Sequence, residues 1–326
     1  MVPDRDIERA AGVLKAGGLV AFPTETVYGL GADASSPDAV RKIFAAKNRP
    51  ADHPVIVHVA DASQLADWVI AVPESAKKLG RALWPGPLTV ILQRAAGVPD
   101  VVTGGQDTVA LRVPSHPVAQ RLLRAFGGGI AAPSANRFGR ISATTAAHVR
   151  KELGAAVDIV LDGGAADVGI ESTIVDLSGT QPALLRPGAI TRERLETVLG
   201  AAVLAVSHTA PRAPGTLAGH YAPQTPLVLI EAEDFERQIA GLLAQRKQIA
   251  VLARRVHRPA DVDVVWIAAP RDAEHYAHEL YATVRTLDEA GCDVILVEAP
   301  PPAAEWAAVR DRLTRAAAGS LAPENG

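Results

Sequence analysis

The stretch LVAFPTETVYGLG, Leu19 to Gly31, decides how the first half of this chain folds. Its first four residues are apolar and read as a buried strand, and the polar TET that follows, Thr24 to Thr26, sits at the mouth of that strand. A polar cluster in this position either faces a ligand or caps the next helix. Before it, Ile7, Ala10, Ala11 and Leu14 recur at helical spacing, and Gly17 and Gly18 end the period. After it, Ser36, Pro37 and Asp38 supply an N-cap, a proline at the first helical position and an early acid, predicting a helix to about Lys47.

Further apolar runs follow as PVIVHVA, PLTVILQ, TVALRVP, DIVLDGG, STIVDL and ALLRPG, with helical periods at 116–126 and 144–153. Several of these strands have no helix between them, which predicts a mixed α/β sheet and not a regular βαβ series. From about residue 205 the texture changes to the proline- and glycine-rich SHTAPRAPGTLAGHYAPQTPL, a linker that Gly215, Gly219 and Tyr221 suit to act as a lid. Beyond it LVLIEA, QIAVLA, VDVVWIA and DVILVEAP alternate with helical periods near 232–246, 272–290 and 303–316. That is a smaller, Rossmann-like module lacking both G-x-G-x-x-G and the Walker glycine loop. The expected organisation is 1–206, a linker over 207–226, and 227–326, with a frayed LAPENG tail.

Composition excludes several classes. The 33 basic residues are dispersed among 36 acidic ones for a net charge of −3, unsuited to stable nucleic-acid binding. The single cysteine, Cys292, rules out a disulfide framework and a cysteine zinc site, and no metal site is expected. No apolar run is long enough to span a bilayer and the N-terminal residues carry charge, so a cytoplasmic protein is expected.

Polar residues that interrupt apolar runs concentrate in the first module. Lys47 and Arg49 follow a predicted helix; they suit a polyphosphate, and in isolation they equally suit a basic helix terminus. Ser134 and Asn136, two apart after Pro133, offer neutral hydrogen bonds to a ligand or close a turn. Thr108 and Arg112 share a strand face, and an arginine there is costly unless it meets an anion. Ser172 and Thr173 open a strand, and Arg186 ends another. No nucleophile with a histidine base and no suggestive carboxylate pair stands out, and His58 reads as a core histidine. The inventory points to phosphoryl or nucleotidyl transfer by positioning and electrostatics. Residues reserved for a ligand in this way would contribute little to the fold.

FPTETVYGLG, KNRPADHP, PGPLTVIL, VALRVPSH, AAPSAN, GIESTIVD and LLRPG occur in the order seen in the threonylcarbamoyl-AMP synthases, the Sua5/YrdC/TsaC family. The first module resembles their YrdC-like catalytic domain, and GHYAP with the module after it resembles the long, Sua5-type members. The resemblance implies a mixed, twisted catalytic sheet followed by a Sua5 C-terminal α/β domain. It implies a nucleotidyltransferase that joins L-threonine, bicarbonate or CO2, and ATP, with Mg2+, into threonylcarbamoyl-AMP and pyrophosphate. The product would pass to a tRNA threonylcarbamoyl transferase complex for t6A modification of tRNA. By the same resemblance Thr26, His58, Arg112 and Ser172 would take threonine, with Arg112 on its carboxylate, while Tyr28 walls the cavity. Lys47, Arg49, Ser134 and Asn136 would be the catalytic K-x-R and S-x-N signatures and contact ATP. His53, Thr108, Ser142, Arg186 and Tyr221 would complete the ATP contacts. His53 stands where the family pattern has asparagine, though imidazole can still donate. Two rival classes, a double-stranded RNA binder and a hydrogenase-maturation carbamoyltransferase, fit poorly with the charge and with one cysteine.

Overall fold

The computed structural model describes residues 2–205, 210–259 and 263–321, and packing divides the chain into two units. Met1–Phe138 and Ser142–Thr216 form the first; Gly139–Ile141 and Leu217–Gly326 form the second. The linker expected over 207–226 thus begins at residues outside those described, as do the start of the VDVVWIA strand and residues 322–326 of the tail.

Ten strands of the first unit join in one sheet. They are β1 (Val20–Pro23), β2 (Tyr28–Asp33), β3 (Ile56–His58), β4 (Leu88–Gln93), β5 (Thr108–Arg112), β6 (Ile130–Ala131), β7 (Ile159–Val160), β8 (Thr173–Asp176), β9 (Ala183–Arg186) and β10 (Leu204–Ala205). Their order is β10-β9-β8-β4-β5-β3-β6-β2-β1-β7. The opening stretch makes the β1–β2 hairpin, with Val20 opposite Gly31 and Pro23 opposite Tyr28. Pairing is parallel for β3–β5 and β4–β8 but antiparallel for β4–β5, so the sheet is mixed as expected.

Period-2 alternation gives the central strands two different faces. Val57, Val90, Leu111 and Val175 point into the main core, whereas Ile56, Ile91, Ala110, Ile174 and Leu185 form a smaller apolar cluster on the opposite face, joined there by Ala213. The predicted helices are present as Asp4–Lys15, Pro37–Lys47, Pro117–Phe126 and Ala146–Leu153, the second capped by the Ser36 hydroxyl, which accepts from Ala39 N at 3.3 Å. Glu74–Leu83 and Arg192–Leu199, which the sequence reading does not single out, form two more helices that pack on each other.

In the second unit β11 (Leu227–Ile230), β12 (Ile249–Ala253), β13 (Val265–Ala268) and β14 (Val294–Glu298) pair in parallel in the order β11-β14-β12-β13. β12 and β14 are buried along their length, as their unbroken apolar sequence requires. Past the end of β12 the N–H groups of Arg254, Arg255 and Val256 donate to the Glu298 carboxylate at 2.7, 2.7 and 3.1 Å. A cradle of that kind can hold an anionic ligand, and here the chain's own acid fills it.

One glycine is set by close approach. A Cβ on Gly188 would lie 2.4 Å from Thr173 N and 2.8 Å from both Glu171 O and Ser172 C, all of them main-chain atoms that cannot rotate away. Gly188→Ala is therefore expected to destabilise the protein by about 1–3 kcal/mol through overpacking. Chemical denaturation measures this, and an unchanged midpoint would show that the loop yields freely.

Candidate active site

A row of polar side chains crosses five neighbouring strands on the face that carries the small apolar cluster. His58, last in β3, is in register with Arg112, last in β5, and Arg112 is in register with Thr89 of β4. The Thr89 and Ser172 hydroxyls share a hydrogen bond of 2.7 Å. Arg186, last in β9, donates from Nε to Ser172 O at 3.0 Å, from Nη2 to Ser172 Oγ at 3.1 Å and from Nη1 to Pro214 O at 2.8 Å. Ending three strands at one level puts three side chains of ligand-binding type side by side.

The opening turn reaches this row from the side. Thr24 closes the turn, its hydroxyl donating to Val27 O at 2.6 Å and accepting from Val27 N at 3.2 Å. Thr26 Oγ accepts from Arg112 Nη1 at 2.8 Å, and Glu25 Oε1 accepts from Arg112 Nη2 at 2.7 Å. Tyr28, expected to wall a cavity, is instead fully buried, and its hydroxyl donates to Gly164 O at 2.7 Å. Burial pushes that hydroxyl up to about 12.

His58 is buried with Nδ1 unpartnered. Burial, and secondarily the Arg112 charge, holds its pKa down to about 3, so the imidazole is neutral at working pH.

Beyond β6, Leu30 N donates to Pro133 O and Ala135 N to Tyr28 O, both at 2.8 Å, which lays the PSAN segment along β2. Lys47, last in its helix, is 1% exposed; its ammonium donates to Ser134 O at 2.5 Å and also to Asn136 O. Burial, reinforced by the Arg49 charge, lowers the Lys47 pKa well below its ordinary value. Asn48 takes the left-handed conformation at φ 51°, ending the helix and turning Arg49 inward. Arg49 Nη2 donates to Pro54 O at 2.8 Å, with its guanidinium 5.6 Å from the centre of the Phe138 ring, against which His53 packs edge-on.

Contacts thus gather Thr26, His58, Arg112, Ser172 and Arg186 in one group, and Lys47, Arg49, His53, Ser134 and Asn136 in a second. Ser142 joins neither group by a direct bond; its hydroxyl donates to Glu171 Oε1 at 2.5 Å. Thr108 shares the face of Arg112 but lies four residues away along β5, about 13 Å. Tyr221 belongs to the second unit, where it is buried against Tyr281 and Arg312, and Gly219 packs on Gly319. Arg49 and Arg112 are both engaged by the protein's own groups, Arg49 by Pro54 O and Arg112 by Thr26 and Glu25. Thr89 and Glu171 have no role in the sequence reading, and Glu25 only a share in the TET turn that the family resemblance turns toward the amino acid. The signal was available for Glu25, since an arginine buried in a strand calls for an acid and the adjoining motif holds one.

A mixed sheet with buried cations at its strand ends, accompanied by an all-parallel α/β unit, defines a two-unit protein of YrdC-like build. The family model described as "Telomere recombination" (Sua5, YciO, YrdC) matches residues 12–188, and that of the "Threonylcarbamoyl-AMP synthase, C-terminal domain" matches 190–318. The threonylcarbamoyl-AMP synthase of Pyrococcus abyssi is 40% identical over 95% of this chain and 93% of its own, and that of Bacillus subtilis 41% identical over 98% and 94%. The crystal structure of P. abyssi Sua5 complexed with L-threonine superposes with a TM-score of 0.91 at 38% identity, covering 98% of this chain and 96% of that one. The chain belongs to the Sua5/YrdC family of threonylcarbamoyl-AMP synthases, in its long, two-domain form.

The depressed pKa of His58 carries a pH dependence with a definite sign. Between about 3, its folded value, and its ordinary 6.5, the unfolded chain holds the proton and the folded one does not, so stability falls as pH drops below 6.5. His58→Gln should make the stability-against-pH slope between pH 4 and 6 shallower by up to one proton, about 1.4 kcal/mol per pH unit at most. Denaturant midpoints across that range provide the measurement; parallel slopes for the two proteins would place the proton elsewhere.

Proposed function

We propose that this protein joins L-threonine, bicarbonate or CO2, and ATP into threonylcarbamoyl-AMP with release of pyrophosphate, for threonylcarbamoylation of tRNA by a downstream transferase. Membership of the family and the likeness to a threonine-bound Sua5 support the substrate class. The observation that carries the reading for this site is the burial of Lys47 beside Arg49. Its ammonium is withdrawn from water onto two main-chain carbonyls with a second cation, Arg49, beside it. Such an arrangement is costly when empty and is relieved by an anion, as the phosphates of ATP would provide.

In this reading Arg112 and Ser172 hold the threonine carboxylate beside Thr26 and neutral His58. Lys47, Arg49, Ser134 and Asn136, with Thr108, Ser142, Arg186 and His53, serve the nucleotide. Once the amine has become a carbamate the attacking oxygen is already anionic, so the step at the α-phosphate requires alignment and charge neutralisation more than a base. Among the described residues no three of His, Cys, Asp or Glu gather to hold a metal. Mg2+ therefore fits as a companion of the triphosphate, which suits an ion that keeps most of its water and binds through phosphates.

Pyrophosphate release should require ATP, threonine and bicarbonate together. Serine should be the poorer substrate because it forfeits methyl contact worth about 1 kcal/mol. Arg112→Lys keeps a charge but loses the planar fork, and kcat/KM for threonine should fall by roughly a hundred-fold. Pyrophosphate release that ignores the amino acid would sink the reading.

A further inference from the structure

Arg112 is 3% exposed, so each of its N–H groups needs an acceptor or a ligand. One proton of Nη1 goes to Thr26 Oγ at 2.8 Å and one of Nη2 to Glu25 Oε1 at 2.7 Å, while Nε is buried without a partner. Glu25 is itself buried at 5% exposure, and its second oxygen accepts from Ser115 N at 3.0 Å. Its main chain is tied as well, Glu25 O accepting from Val168 N at 2.7 Å. One carboxylate thus joins three segments: the opening turn, the last residue of β5, and the loop that leaves β5.

Resting on the function proposed above, we infer that Glu25 is the positioning residue of the amino-acid site, gripping the outer end of the Arg112 fork so that the Nε edge is left to the substrate carboxylate. A second consequence follows from charge. Glu25 cancels the charge of Arg112, and His58 beside them is neutral, so the Arg112 corner itself carries little net charge, and Arg186, bonded to Ser172 and Pro214, is the remaining cation of the row. A substrate carboxylate is then selected by donors fixed in direction, the Nε edge and the neighbouring hydroxyls, and not by a field that any anion would feel. A carboxylate serving only as a structural counterion would hold the fold and affect both substrates alike. A positioning carboxylate affects the amino acid alone.

The test is Glu25→Gln in the full chain, which keeps the side-chain shape and removes the charge. Steady-state pyrophosphate release should show KM for threonine raised at least ten-fold and KM for ATP within two-fold of wild type. Calorimetric titration with threonine should show the same weakening. Equal threonine affinity in variant and wild type would overturn the assignment, as would a parallel loss toward both substrates with a lowered melting temperature. If Glu25→Gln does not fold, Glu25→Asp keeps the charge but is one methylene too short to reach both Arg112 and Ser115 N, and the same split between substrates is expected. A wild-type protein that fails to bind threonine at all would remove the functional reading and this inference with it. A wild type that binds threonine beside a variant that binds it equally well would remove this inference only.

Discussion

A cation withdrawn from water must find acceptors, and in the first unit three such cations decide where the loops go. Lys47, Arg112 and Arg186 are 1%, 3% and 3% exposed. Lys47 draws the carbonyls of Ser134 and Asn136 onto itself, Arg186 draws those of Ser172 and Pro214, and Arg112 draws in Glu25 and Thr26. Every one of these acceptors lies in or beside a connecting segment outside the strands. Strand ends place Arg112 and Arg186, a helix end places Lys47, and the cations place the connections. Main-chain oxygens satisfy hydrogen bonds without cancelling charge, and burial, with the Arg49 charge beside it, lowers the basicity of Lys47 where it sits.

The two faces of β3, β4 and β5 divide the labour. One face is wholly apolar and gives the unit its core; the other is apolar for part of its length and polar where the strands end. A single two-residue step along a strand, from Ile56 to His58 or from Ala110 to Arg112, passes from packing to ligand chemistry on the same face. Rigid strands hold the reacting groups here, with less freedom than loops would leave them.

Much of this was legible in the residues. The LVAF strand, the capped helix ending at Lys47, the mixed character of the first sheet and the α/β alternation of the second unit all follow from local periodicity, caps and turn residues, which act within a few positions. What local pattern conceals is pairing across the chain. The letters TET announce a polar turn, but not that Thr24 is spent on closing it, that Glu25 meets an arginine 87 positions later, or that Thr89 meets Ser172 across 83. Tyr28 misleads for a related reason: an aromatic near a polar turn resembles a cavity wall until the burial of β2 and the Gly164 carbonyl are seen.

Those same separations govern how the protein is made. Lys47 meets Asn136 across 89 residues, Arg112 meets Thr26 across 86, and Arg186 follows Ser172 only near the end of the first unit. Loop-closure entropy must be overcome before any of these contacts returns stabilisation, and parallel pairings such as β4 with β8 add to the delay. A chain emerging from the ribosome can form its first hairpin and helices early, while the cations stay hydrated and unpaired. The polar row closes only once β8 and β9 have been synthesised, so it is among the last parts of this unit to acquire its native form.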